Sequence, residues 1–141
     1  MSKYTSNNIS LVGFEEFDEW NSLKKKIHSS GKLPHISDGE VWWCSCGRNV
    51  GVEINGKNKP FSRPVLVFKK LSSLGFLGIP LTSQNKRGSW YVSFVFQGRD
   101  QVAALSQIRT LSVSRLYTRI GKIDEADMKA IRVGLLELYF K

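Results

Sequence analysis

The apolar stretches PVLVF at residues 64–68 and WYVSFVF at residues 90–96 decide the fold. Both are short, rich in β-branched and aromatic residues and bounded by turn-forming residues, a pattern typical of β-strands. The first is nearly continuously apolar, which predicts a buried strand that begins at Pro64. Further strands are predicted at residues 40–44, 77–81, 101–108 and 116–123, and loops at residues 45–62 and 83–89. Short strands without helices between them predict an antiparallel barrel or sandwich.

A helix is predicted before these strands, over residues 14–28, after a polar lead at residues 1–13. Its apolar residues recur every three or four positions and form one stripe: Phe14, Phe17, Trp20, Leu23 and Ile27. Four acidic residues lie in its predicted first turns and three lysines in its last, an order that complements the helix dipole. The stripe is too apolar to remain in water, so we expect this helix to dock on a barrel and stabilise it.

A second helix is predicted to follow Asp124, which can cap its N-terminus. Its apolar face comprises Met128, Ile131, Leu135, Leu138 and Tyr139. The order helix, strands, helix predicts an α+β fold built on a small antiparallel β-barrel. We therefore expect a barrel domain at residues 36–141 and an N-terminal extension, with its amphipathic helix, at residues 1–35.

The chain of 141 residues fits one domain that can bury a core without disulfides or metals. No run approaches the ~18 apolar residues of a membrane span, and the polar segment MSKYTSNNIS lacks the apolar core of a signal peptide. Two cysteines are too few for a disulfide-rich secreted domain. A cytoplasmic protein without membrane contact is therefore expected.

The distribution of charge indicates a polyanionic partner. There are 21 basic and 12 acidic residues, a net charge of +9. Residues 1–35 hold five basic and four acidic residues, a net +1, whereas residues 36–141 hold sixteen and eight, a net +8. Between Lys57 and Lys122 there are twelve basic residues and a single acid, Asp100. A field of this kind attracts nucleic acid.

Several enzyme chemistries do not fit the sequence. A zinc set of Cys44, Cys46, His28 and His35 can be written down, but its spacings differ from those of structural zinc sites. The glycine-rich phosphate-binding motifs and the G-x-S-x-G motif are missing from the sequence. We expect no metal and no other cofactor. The two cysteines are expected to be reduced thiols.

The remaining polar residues suit a phosphodiester substrate, because guanidinium groups match phosphate geometry and stabilise developing negative charge. In RNA the 2′-hydroxyl can itself attack the adjacent phosphorus, so the protein needs no nucleophile of its own. A basic concave site with Arg63, Thr82 and other polar donors could support this reaction. An arginine is a poor general base, since its pKa exceeds about 12, so charge stabilisation is the first expectation for Arg63.

A series of motifs follows along the chain in one order: DGEVWW at 38–43, G-V-E at 51–53 with Gly56, RPVLV at 63–67, PLTS at 80–83, QIRT at 107–110, SRL at 114–116 and GK at 121–122. This series resembles the MazF/PemK family of toxins from bacterial toxin–antitoxin systems. The resemblance extends from about Ile36 to the C-terminus.

The resemblance implies a small SH3-like barrel of the MazF/PemK/CcdB type with a C-terminal helix, and a homodimer. It implies cleavage of single-stranded RNA, often mRNA, without a metal ion, leaving 2′,3′-cyclic phosphate and 5′-hydroxyl ends. It also implies a cognate antitoxin that occupies the RNA groove and inhibits cleavage. The family's catalytic pair corresponds to Arg63 and Thr82, and a loop glutamate corresponds to Glu53. The expected RNA contacts are Ser83, Lys86, Arg87, Gln107 and Arg109.

Two departures from the short family members leave alternatives open. The first 35 residues have no counterpart, and the loop between Glu53 and Arg63 is longer, with Lys57, Lys59 and Phe61 among its residues. Arg63 could be a solvated edge residue and Thr82 an ordinary strand residue. The alternative functions are a basic barrel that binds nucleic acid without cutting it, and a CcdB-like toxin that poisons a topoisomerase.

Overall fold

The computed structural model describes residues 7–58 and 60–141, with side chains from residue 14 onward. Residues 1–6 of the predicted polar lead, and Lys59, lie outside the described residues. The described elements are α1 (Asn7–Ser29), β1 (Glu40–Ser45), β2 (Ser62–Lys70), β3 (Gly75–Thr82), β4 (Tyr91–Phe96), β5 (Arg99–Ala104), β6 (Arg109–Ser112), β7 (Leu116–Lys122) and α2 (Glu125–Tyr139). The predicted α+β fold is confirmed.

The seven described strands form one antiparallel sheet in the order β4-β5-β3-β2-β1-β7, and β6 pairs with the first half of β3. No ladder joins β4 to β7 in the described residues, so the sheet is open where a closed barrel was predicted. A side chain spans this gap instead, because Gln97 Nε2, in the β4–β5 turn, donates to the carbonyl oxygen of Ile120 on β7 at 3.0 Å.

Several predicted strand boundaries were wrong. β2 begins at Ser62, so Pro64 is its third residue. The strand predicted at 101–108 ends at Ala104, because Leu105–Gln107 form a 3₁₀ turn. β6 was not predicted; its sequence is RTLS, and Leu111 is its one buried residue. A strand this short and polar lacks the alternation of apolar and polar residues from which strands are predicted.

The core lies on both faces of the sheet. On one face α2 covers the sheet, with Met128 and Ile131 in the same buried cluster as Leu66. On the other face Val65 and Val67 join a second cluster with Trp42 and Phe76. The central residues of β2 are therefore fully buried, which confirms the prediction from its continuous apolar run. Asp124 is the N-cap residue of α2, but its side chain makes no capping hydrogen bond.

Helix α1 differs from its predicted form. It begins at Asn7, so the acidic residues lie in its middle and its first turn has none. Of the predicted apolar stripe only Trp20 is buried; Phe14 is 61% exposed. Trp20 packs on the sheet domain of its own chain, where its ring meets Phe61. No helix among the described residues combines the length and hydrophobicity that crossing a membrane requires.

Candidate active site

A cleft of about 620 Å³ opens where the start of β2 and the end of β3 meet the β4–β5 turn and β7. The described side chains that line it are Val41, Trp43, Lys57, Asn58, Pro60, Ser62, Arg63, Pro64, Leu81, Thr82, Ser83, Phe96, Gln97, Arg99, Gln101, Tyr117 and Ile120. The basic members are Lys57, Arg63 and Arg99, and no described lining residue is acidic. The cleft therefore has the charge that a polyanion requires.

Arg63 is held on the cleft wall by two backbone carbonyls. Its Nε donates to the oxygen of Asn55 at 2.9 Å and its Nη1 to the oxygen of Leu81 at 3.2 Å. Burial lowers the pKa of Arg63 from its ordinary value, and the nearby Cys46 opposes that shift. Of the five N–H donors of a guanidinium, these bonds to described residues use two, and the rest can serve a ligand.

Thr82 is the last residue of β3 and belongs to the same wall. Val65 pairs with Pro80 and Leu66 with Ile79 across β2 and β3, and continuing this register sets Arg63 opposite Thr82. Thr82 is 8% exposed, and its Oγ1 accepts a hydrogen bond from the backbone N–H of Gln84 at 3.1 Å. Its hydroxyl hydrogen can still be donated to a ligand. Sheet register thus brings together two residues that are nineteen positions apart.

A compact loop forms the cleft edge beside Arg63. Lys57 and Ser62 exchange backbone hydrogen bonds at 2.8 and 3.1 Å and close a tight turn between them. The Ser62 hydroxyl accepts from the phenolic O–H of Tyr117 on β7 at 2.7 Å. Asn58 and Phe61 both have positive φ angles, which fix the shape of the turn. The cleft edge is therefore tied to two strands.

Glu53 lies outside the cleft lining. Its exposed carboxylate accepts from the backbone N–H of Val50 at 3.1 Å and closes a local turn. Gln107 also lies outside the lining and holds this loop in place: Ile54 N–H donates to its Oε1 at 3.1 Å, and its Nε2 donates to the Val52 oxygen at 3.0 Å. The structure therefore brings Gln107 together with the Glu53 loop, while neither Glu53 nor Gln107 is among the described residues that line the cleft.

The predicted RNA contacts are divided between two regions. Ser83 lines the cleft directly after Thr82. Lys86 and Arg87 are exposed on the loop between β3 and β4, and Arg109 is exposed at the start of β6; none of the three is among the lining residues. They extend the positive surface beyond the cleft.

Beneath the cleft wall are two buried free thiols, Cys44 and Cys46. A hydrogen bond to Cys46 and burial raise the pKa of Cys44 well above its ordinary value. The same bond lowers the pKa of Cys46; burial opposes this, and the charges of Arg63 and Arg115 assist it. Among the described residues, no three His, Cys, Asp or Glu side chains are grouped as metal ligands.

A family model described as PemK-like, MazF-like toxin of type II toxin–antitoxin system matches residues 37–139. The chain belongs to this toxin family. The matched range includes every predicted site residue and excludes α1. A comparison with curated protein sequences returned no match.

Solved structures with this fold include MazF from Deinococcus radiodurans, 21% identical, with a TM-score of 0.62 over 77% of this toxin and 100% of that chain. An endoribonuclease from Mycobacterial species in complex with its cognate antitoxin is 17% identical, with a TM-score of 0.56 over 73% and 93% of the two chains. Another endoribonuclease from Mycobacterial species is 16% identical, with a TM-score of 0.56 over 75% and 90%. These likenesses establish the fold.

The structure adds site residues of this toxin that the sequence analysis did not single out. Trp43, Phe96 and Tyr117 give the cleft three aromatic side chains, and Arg99 adds a basic one. Trp43 stands in the segment EVWWC, where strand alternation sets it on the face opposite Trp42, and it is the exposed one of the two. Phe96, Arg99 and Tyr117 lie on β4, β5 and β7, and they come close to one another only when the sheet folds.

Proposed function

We propose that this toxin is an endoribonuclease that cuts single-stranded RNA without a metal ion. The observation that carries the proposal is that Arg63 and Thr82 line the same basic cleft, whose described lining has no acidic residue. Family membership supports it as well, and two of the solved structures with this fold are named endoribonucleases.

The reaction needs no covalent intermediate with the protein. The 2′-oxygen attacks the adjacent phosphorus and the bond from phosphorus to the 5′-oxygen breaks, leaving a 2′,3′-cyclic phosphate and a 5′-hydroxyl. The proton of the 2′-hydroxyl leaves to a base, and the 5′-oxygen gains a proton. Negative charge grows on the non-bridging phosphate oxygens in the transition state, and this charge is what the site must stabilise.

Arg63 supplies that stabilisation. Its bonds to the carbonyls of Asn55 and Leu81 favour the protonated guanidinium, although burial lowers its pKa. They also fix the orientation of the planar group before RNA binds, so no reorganisation is needed during the reaction. The Thr82 hydroxyl donates a further hydrogen bond to the same phosphate.

The nucleotides on either side of the phosphate are held by stacking. Trp43 and Tyr117 are exposed aromatic side chains in the cleft lining, and unpaired bases stack on such surfaces. This favours single-stranded over duplex RNA. Protein-bound divalent cations prefer carboxylate oxygens, and the described lining offers none, which supports a reaction driven by arginine.

We propose a homodimer and a cognate antitoxin as the partners of this toxin. Large apolar side chains are exposed beside Leu105: Trp90 precedes β4, and Leu136 and Phe140 lie at the end of α2. Leu105 N–H donates to the Trp90 oxygen at 2.8 Å and the Tyr139 hydroxyl donates to the Leu105 oxygen at 3.1 Å, so these segments adjoin. An apolar area of this kind is typical of a protein interface. The antitoxin, in turn, competes with RNA for the cleft.

Incubation of the purified protein with mixed-sequence RNA in excess EDTA tests the proposal. We expect fragments with 2′,3′-cyclic phosphate ends. Arg63→Ala, purified in the same way, should form the fragments about 10²–10³ times more slowly, whereas Lys129→Ala, which removes an equal charge from an exposed position on α2, should form them as the wild type does. Fragments that appear only with added divalent ions would overturn the metal-free mechanism. RNA retention without fragments would favour a binding barrel.

A further inference from the structure

Helix α1 lies outside the range that matches the toxin family, yet it contacts the loop that borders the cleft. The most buried residue in this contact is Trp20, which is 5% exposed. Trp20 belongs to neither of the two core clusters, so the sheet does not need it to form a core. Its burial against the loop therefore calls for another explanation.

Three groups surround the Trp20 ring. The Phe61 ring meets it edge-on, with centroids 5.8 Å apart and planes at 61°. The guanidinium of Arg115 lies 5.8 Å from the ring centre and donates to the Ser45 oxygen at 3.0 Å. Gly47 packs so closely that a Cβ atom there would lie 2.2 Å from Trp20 Cε2. These contacts form around a glycine that also has a φ angle of +89°.

The residues under Trp20 connect directly to Arg63. The Phe61 oxygen accepts from the backbone N–H groups of Cys46 and Gly47 at 2.9 and 3.1 Å, and Gly56 N–H donates to the Gly47 oxygen at 2.8 Å. A Cβ at Gly56 would overlap the Phe61 carbonyl, so the two backbone segments are in direct contact. The next residue back, Asn55, supplies the carbonyl that holds Arg63 Nε.

We propose that Trp20 is a positioning residue for the cleft. Its ring holds Phe61 and Gly47 in place, these hold Gly56 and with it Asn55, and the Asn55 carbonyl orients Arg63 at one edge of the cleft. This inference rests on the proposed RNA cleavage. The ion pair of Glu16 with Arg48 at 3.0 Å brings the helix to the same loop, but it is partly exposed and contributes little.

The test compares three full-length variants, Trp20→Ala, Trp20→Phe and Phe14→Ala. Phe14 is the matched control, since it is a large aromatic on the same helix but is exposed. Hydrogen exchange reports positioning without any RNA. Trp20→Ala should speed exchange in peptides that cover residues 46–62, while residues 75–82 of β3 stay protected and Phe14→Ala behaves as the wild type.

Cleavage gives the second readout. Misplaced reacting groups lower the rate of the chemical step, so single-turnover cleavage at saturating enzyme should fall on the order of 10- to 100-fold in Trp20→Ala and recover partly in Trp20→Phe. Unchanged cleavage per folded molecule, or exchange that rises evenly over the whole sheet, would overturn the positioning role and leave a merely stabilising one. If the wild type does not cut RNA, the proposed function is wrong. Hydrogen exchange in residues 46–62 still tests, without RNA, whether Trp20 holds this loop in place.

Discussion

Replacement of Arg63 is the most direct test of the candidate site. Arg63→Ala removes the cation beside Thr82 and both hydrogen bonds to the wall, at 2.9 and 3.2 Å. Loss of one preorganised donor to a developing oxyanion costs about 10²–10³ in rate. Each lost bond from a charged group costs up to about 1.5–3 kcal/mol when buried. Water in the open cleft can replace the lost donor at both carbonyls. We therefore expect Arg63→Ala to lower the free energy of unfolding by about 1–3 kcal/mol in total.

Two further variants separate charge from geometry. Arg63→Lys keeps the charge but cannot donate to both carbonyls from a planar fork, so its rate is expected between those of the wild type and Arg63→Ala. Arg99→Ala removes an equal charge from β5, another part of the cleft lining. It should weaken RNA binding and the salt dependence of binding, with little change in the saturated rate.

The assay is single-turnover cleavage of a short single-stranded RNA in excess enzyme and EDTA, together with thermal unfolding. For a domain of this size, the expected loss of stability corresponds to about 2–4 °C in melting temperature per kcal/mol. Arg63→Ala should therefore stay folded at 25 °C and bind RNA while cutting it slowly. If folded Arg63→Ala cuts as fast as the wild type, or if Arg99→Ala loses as much saturated rate, Arg63 is not the stabilising group.

Three other predictions concern single side chains. Thr82→Ala should reduce the saturated cleavage rate about tenfold or more, because a donor to the phosphate is lost, and Thr82→Ser should restore most of it; equal rates in both variants would contradict this role. Glu53→Gln should leave the rate within a few-fold, because Gln keeps an acceptor for Val50 N–H; loss of the acidic limb of the pH–rate profile would instead identify Glu53 as the general base. Burial would raise the pKa of Glu40, but bonds from Trp42, Ser37 N–H and Arg119 outweigh it and lower that pKa below 4.5. The stabilisation by this carboxylate is thus present above pH 4.5 and is lost as the pH falls through the lower folded value. Glu40→Gln should unfold at a lower temperature than the wild type at pH 7, with a smaller difference at pH 3; a difference that does not depend on pH would contradict the shift.

The sequence predicted the buried centre of the sheet well, because Val65–Val67 carry their own signal in an unbroken apolar run. It failed for β6, where pairing with Gly75–Gly78 of β3 makes a strand of the polar segment RTLS. Such long-range pairing is not encoded in local alternation. The start of α1 was wrong for a related reason, since the segment NNISLVG has weak intrinsic helix propensity, yet its backbone is helical.

In the candidate site, too, some residues could be predicted from the sequence and others could not. Arg63 and Thr82 were identified through a family resemblance, and the β2–β3 register gives the physical reason that they lie together. Glu53 and Gln107 are close to each other but outside the cleft lining, which required knowledge of how the loop before β2 folds. The cleft aromatics were missed because no segment of sequence contains more than one of them.

Because of the gap between β4 and β7, one side of the cleft is held less firmly than the other. Arg63 and Thr82 are carried by β2 and β3, which are paired along most of their length and cannot separate without breaking a ladder. Across the gap, Gln97 Nε2 donates to the Ile120 oxygen, a bond that costs about 1 kcal/mol to break, and the Phe96 ring lies against Gly121. No ladder adds to these contacts in the described residues, so we expect the β4–β5 side of the cleft to move more readily than the wall that carries Arg63 and Thr82. The two occupants proposed for this groove, an RNA strand and an antitoxin segment, differ in thickness, and an adjustable opening would suit both.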